Sequence, residues 1–176
     1  MEPGTEAAPR GHAGDPAPAL ERAFVRIWRE RMRDVPILNP MLRVEAVGFR
    51  PWHGHWIGIL VTPWFMNAMV LPGTGAEWPA RNCGDSHVWP LPIGPCEFIA
   101  GYEEEIGEYH LCSLMSPVLP IEDQDAARIT AQAALDTLLA PPAPKDEAPG
   151  PLATIAENAD KPMSKREFLS GRVFRS

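Results

Sequence analysis

The sequence predicts an α+β fold: a single domain built on a mainly antiparallel sheet of four to six strands, packed with an N-terminal and a C-terminal helix and flanked by flexible tails. Three observations carry this. Helical periodicity occurs twice, near each end of the chain. The strand-like segments run consecutively between those two helices instead of alternating with them, which favours α+β over α/β. The chain has 176 residues, 45% of them hydrophobic, a length suited to one domain with its own core.

The elements follow in order. Residues 1–19 contain twelve Gly, Pro or Ala, offer little apolar surface to offset ordering entropy, and are expected to be a disordered tail. From 20 to 35, Leu20, Phe24, Ile27, Trp28, Met32 and Val35 make a helical stripe, which Pro36 ends. Residues 41–50 alternate, with Leu42, Val44 and Ala46 on one side and Arg43, Glu45 and Val47 on the other, as in a half-buried strand. A turn at 51–55 leads to an apolar strand at 56–61. A second strand is expected at 65–71, with apolar residues on both faces, so it is either central or covers a groove. Residues 72–95 hold five Pro and two Trp and read as a long structured loop. Residues 96–102 and 108–115 read as a hairpin. The second helix, at 122–139, opens with Glu122, Asp123 and Asp125, where the helix dipole favours anions. Its inner face is of small residues, Ala127, Ala131 and Ala134 with Leu135 and Leu138. The folded domain is thus expected at 20–140. A Pro-rich linker follows at 141–162 and a basic tail at 163–176.

Composition narrows the function. Net charge is −7, the wrong sign for a general nucleic-acid binder. The most apolar run, residues 56–71, is broken by Thr62, Pro63 and Asn67 and falls short of the ~20 residues a spanning helix needs. No stable membrane insertion is expected. The N-terminus shows no apolar signal region and the three Cys form no C-x-x-C pair, so a reducing cytoplasm is the expected location.

Chemically suggestive residues are few. His53 and His55, and His110 and Cys112, are each spaced by two, which puts both members of a strand pair on one face. A metal-handling or redox role through His110 and Cys112 is therefore the alternative reading, although the strong ligand spacings are absent. Nucleophile types occur without a G-x-S-x-G elbow or a phosphate loop. No cofactor and no enzymatic activity are expected. Two features point to a binding surface instead. Five of the six Trp lie between residues 50 and 90, together with Met66 and Met69, and Trp and Met suit adaptable interfaces. Residues 82–127 carry nine acids and no Lys or Arg; such a run is either a solvated face or a patch that steers a basic partner. The candidate contact residues are Trp56, Trp64, Met66, Met69 and Met115, with Glu103, Glu104 and Glu105 supplying charge.

Several segments resemble the HybE family of NiFe-hydrogenase assembly chaperones. They are Trp56-Ile57-Gly58, Thr62-Pro63-Trp64 leading to Pro72-Gly73, Leu91-Pro92-x-Gly94, the run Cys112 to Pro117, and the basic KREFLSGR at 165–172. The resemblance implies a non-enzymatic cytoplasmic accessory protein. Its implied partners are hydrogenase structural-subunit precursors, including one bearing a twin-arginine signal peptide, and other maturation proteins. In the tail, Ser164 through Leu169 resembles the core of such a signal, with Lys165 in place of the first Arg. Lys165, Arg166, Phe168, Leu169 and Arg172 are accordingly singled out as a C-terminal motif.

Overall fold

The computed structural model describes residues 11–142. Helix α1 spans Ala17–Ile27 and continues as a π-helical turn at Trp28–Met32. Six strands follow: β1 Glu45–Trp52, β2 His55–Val61, β3 Met66–Leu71, β4 Ser86–Leu91, β5 Gly94–Glu103 and β6 Gly107–Met115. Helix α2, Gln124–Leu138, closes the domain.

The strands form one sheet in the order β1-β2-β3-β6-β5-β4, with every neighbouring pair antiparallel. It consists of two meanders, β1-β2-β3 and β4-β5-β6, zipped together by the β3–β6 ladder. The β1–β2 turn is His53-Gly54, with φ of 48° and 79°, the pair of left-handed residues that a tight hairpin of matching twist requires. A bulge between Val47 and Arg50 bends β1 around Gly48 at φ 67°.

Side-chain alternation divides the core in two. Ile57, Ile59 and Val61 of β2, Met66, Ala68 and Val70 of β3, and Phe98 of β5 face α2, meeting Ala127, Ala131 and Leu135. The small alanines let the helix lie close to the sheet, as their spacing predicts. Leu60, Met69, Leu71 and Tyr109 face the other way, against Leu20, Ala23 and Phe24 of α1. Both helices lie chiefly over the first meander, α1 on β1 and α2 on β1 and β2.

Four sequence expectations change. Residues 11–19 belong to the fold and are not a tail. The His12 amide donates to the Pro72 carbonyl at 2.8 Å, the His12 carbonyl accepts the Trp56 indole N–H at 3.0 Å, and its ring Nε2 lies 3.0 Å from the Ile106 carbonyl oxygen. Helix α1 then starts at Ala17, because Pro at its first turn loses no helical hydrogen bond. The expected strand at 41–50 starts at Glu45. Ahead of it, Asn39 folds the chain into a turn, its side-chain amide donating to the carbonyls of Val118 at 3.0 Å and Ile121 at 2.7 Å. The expected loop at 72–95 contains β4 and the start of β5; Pro90 is tolerated because β4 is a sheet edge. Residues 1–10, most of the linker and the whole 163–176 segment, with its motif of Lys165, Arg166, Phe168, Leu169 and Arg172, lie outside the described residues.

Candidate functional site

The Trp/Met block is core, contrary to the sequence expectation of a contact surface. Met66 and Met69 are 1% and 0% exposed, and Trp64 is 7% exposed. The cause is strand order: β3 is central, flanked by β2 and β6 and covered on both faces. Trp56 is half-buried and tied to His12; Met115 is half-buried against the α2-side core. The recognisable motifs likewise serve the fold. The Thr62 hydroxyl accepts the amides of Trp64 at 3.3 Å and Phe65 at 3.0 Å, shaping the β2–β3 turn. The Ser116 hydroxyl donates to the Trp64 carbonyl at 3.4 Å, so the TPW and CSLMSP segments meet.

The acidic run is partly spent on the protein itself. Arg26 pairs with Glu105 at 2.6 Å and with Glu103 at 3.5 Å, and Arg31 reaches Glu103 at 3.2 Å. Glu103 and Glu105 are thus anchors between the β5–β6 turn and α1, not the free patch expected. Glu104 stays exposed and makes no ion pair among the described residues.

His110 and Cys112 do share a face of β6, as their spacing predicts, but they are committed to packing. The Trp89 indole, which can only donate, points at His110 Nδ1 at 3.1 Å. The ring proton therefore sits on Nε2, 3.3 Å from the Glu108 carboxylate. Burial drives the His110 pKa down to about 4; Glu108 pulls the other way, and His87 and Arg81 add to the lowering. Burial likewise pushes the Cys112 thiol up to about 11, away from the thiolate a metal would need. Around them Trp52, Trp78, Trp89, His55 and His87 stack edge to face or tilted, at centroid separations from 4.4 to 5.8 Å. Among the described residues no group of three His, Cys, Asp or Glu is placed to hold a metal ion.

The surface that stands open is one the sequence reading missed. On the second meander the α2-side positions Trp89, Leu91, Phe98 and Ala100 are buried, and the alternate positions are bare. The register sets Val88 opposite Glu97, Pro90 opposite Pro95, and Ile99 between Ser86 and Leu111. Val88 is 52% and Ile99 47% exposed. Helix α1 reaches Tyr109 and the β5–β6 turn but does not extend over Val88 or Ile99. The result is an apolar band of Val88, Pro90, Pro95, Ile99 and half-buried Leu111, with Glu97 exposed in its middle. The adjoining Asp85 is exposed as well, and neither it nor Glu97 forms an ion pair among the described residues. Among the described residues, the edge of β4 beside the band is unpaired. The signal in the sequence was the alternation Cys96, Phe98, Ala100 against Glu97 and Ile99.

A family model described as NiFe-hydrogenase assembly chaperone HybE matches residues 15–171. The chain belongs to the HybE family. It is 41% identical over 154 residues to the hydrogenase expression/formation protein HupJ of Bradyrhizobium diazoefficiens, covering 88% of this chain and 86% of that one. It is 37% identical over 170 residues to protein HoxT of Cupriavidus necator, covering 87% of each. The solution structure of HybE from Escherichia coli superposes with a TM-score of 0.65 at 26% identity, covering 84% of this chain and 91% of that one. The six-stranded sheet with its two helices is therefore the HybE fold, and hydrogenase assembly is the process in which the HybE family acts.

Proposed function

We propose that this protein is a non-enzymatic cytoplasmic chaperone that binds hydrogenase subunit precursors before export. It takes a basic and apolar segment, such as a twin-arginine signal peptide, on the open face of β4, β5 and β6. The observation that carries the reading is the band around Val88 and Ile99, apolar, exposed among the described residues and centred on Glu97. Glu97 and Asp85 are exposed there and form no ion pair among the described residues, so the band favours basic segments over acidic ones. An apolar stretch following the basic residues would cover Val88 and Ile99 and could pair with the β4 edge, the strand-addition mode of peptide recognition. The alternative of a metal-handling or redox role finds no support in His110 or Cys112, whose polar atoms are engaged or protonated.

The test is titration of the protein with a hydrogenase small-subunit precursor and with the same subunit lacking its signal peptide. Binding should require the signal, and Ile99→Asp should weaken it at least tenfold while the unfolding midpoint moves little. Equal affinity for both subunit forms would remove the signal peptide as the ligand. Undiminished affinity of Ile99→Asp would remove this face.

A further inference from the structure

We infer that the open face of β4, β5 and β6 is an intramolecular docking site for the chain's own C-terminal segment, residues 163–176, which an incoming basic and apolar partner must displace. The inference rests on reading this face as the interface.

Three observations converge on that occupant. The first is chemistry. Residues 163–176 carry Lys165, Arg166, Arg172 and Arg175 against Glu167 alone, a net of +3; with −7 for the whole chain, the rest stands at −10. The same segment contains Met163, Phe168, Leu169, Val173 and Phe174. It is basic and apolar, the complement of a face that is acidic and apolar. The second is where the described chain ends. The Leu138 carbonyl, in the last turn of α2, accepts the Ile93 amide at 3.3 Å. Ile93 is in the β4–β5 turn, so the chain leaves the fold beside the hairpin that carries Val88, Glu97 and Ile99. The third is reach. From that turn, Val88 and Ile99 are roughly 10–20 Å away along their strands at ~3.3 Å per residue. Twenty-two residues separate Pro142 from Lys165, and at up to ~3.3 Å per residue that length is more than enough to bridge the distance. Tethering at such a length gives an effective concentration up to the millimolar range, so a few contacts hold the segment in place.

The occupant and the partner share one chemistry, which makes the segment a competitor. It shields Val88 and Ile99 from unrelated proteins and raises the affinity that a partner needs.

The experiment uses the full chain with Cys83→Ser and Ser170→Cys, carrying a nitroxide on the new thiol. Cys96 and Cys112 are half-buried and their thiols are pushed up by burial, so labelling near neutral pH is confined to position 170. Amide signals of residues 86–89, 96–99 and 111 should lose most of their intensity relative to the reduced label. Glu97→Lys should restore them. Unaffected signals on this face, or broadening spread evenly over the molecule, would overturn the inference. So would equal broadening of isotope-labelled, nitroxide-free chains mixed with nitroxide-bearing ones, since the occupant would then be a second copy. None of these readouts involves a hydrogenase subunit. Failure here leaves precursor binding by Ile99 standing, and failure of precursor binding leaves the tail contact standing.

Discussion

Lowering the pH from 7 to 5 should destabilise the fold chiefly through His110. Its ring is fully buried, with Nδ1 accepting from Trp89 and Nε2 donating to Glu108. Protonation would add a second N–H facing the Trp89 indole, donor against donor, and place a charge among aromatic rings. In the unfolded chain the group titrates near the ordinary 6.5, and in the fold its pKa falls to about 4. A histidine with a depressed folded pKa stabilises fully above the unfolded value, and the contribution is lost as pH falls toward the folded one. At ~1.36 kcal/mol per unit, the drop from 6.5 to 5 costs about 2 kcal/mol. His55 and His87 are lowered too, chiefly by burial, with His53 and Arg81 respectively adding to it, and they steepen the same slope. Glu45 does not interfere in this window. Burial raises its carboxyl, but hydrogen bonds from Arg128 and Gln124 hold it below 4.5, so its contribution fades only at lower pH. The assay is the urea midpoint from pH 7.5 to 5, in the parent and in His110→Gln, together with the imidazole resonances of the folded protein. The parent should lose stability with falling pH and the variant should show a shallower slope. An imidazole of His110 titrating near 6.5 in the folded state, or equal slopes, would refute the reasoning.

Three further outcomes follow from the packing. Trp64→Ala should cost about 3–5 kcal/mol in chemical denaturation, as a truncated core aromatic does, with ligand affinity unchanged at temperatures where the variant stays folded. Asn39→Ala should cost about 2 kcal/mol, since it leaves the buried Ile121 carbonyl without a donor and the Val118 carbonyl with the Ile121 amide alone; a change within about 0.5 kcal/mol would mean that water replaces the amide. Glu97→Gln should leave the unfolding midpoint in place but slow association with a basic precursor segment. It should also flatten the dependence of that rate on salt, because screening acts over a Debye length of ~8 Å at physiological ionic strength.

What the sequence discloses and what it hides divide along contact range. Periodicity is local, so α1, α2, β2, β3, β5 and β6 were all legible, and so was the close-packing alanine face of α2. The bulk of β4 was hidden by Pro90 and its neighbours, which read as loop unless the strand is known to be an edge. The role of Met66 and Met69 turned on β6 inserting beside β3, a pairing between segments some forty residues apart. Arg26 and Glu105 are separated by 79 positions, so no scan of neighbouring residues could show that the acidic turn was already neutralised. The strap at His12 was invisible for another reason. It works mainly through backbone groups, met by one indole N–H and helped by the His12 ring, and Gly/Pro/Ala composition says nothing about where backbone hydrogen bonds go. The open face was the most expensive omission: its alternation was present in 96–100, but only a map of which face the helices cover reveals that no described element covers Val88 and Ile99.

The division of the sheet into two meanders sets how the molecule breathes. The first meander is clamped between α1 and α2. The second joins the first through one ladder, β3 to β6, and packs through Phe98 on the α2 side, Tyr109 on the α1 side, the aromatic stack around Trp89 and the arginine anchors on Glu103 and Glu105. Local opening follows the weakest seam, and segments with fewer buried contacts exchange their amides sooner. Amides of β4 and β5 should therefore exchange ahead of those in β2 and β3. A peptide laid along Val88 and Ile99 would slow that exchange, so occupancy of the face would register as rigidity in the half of the fold that is least tied down.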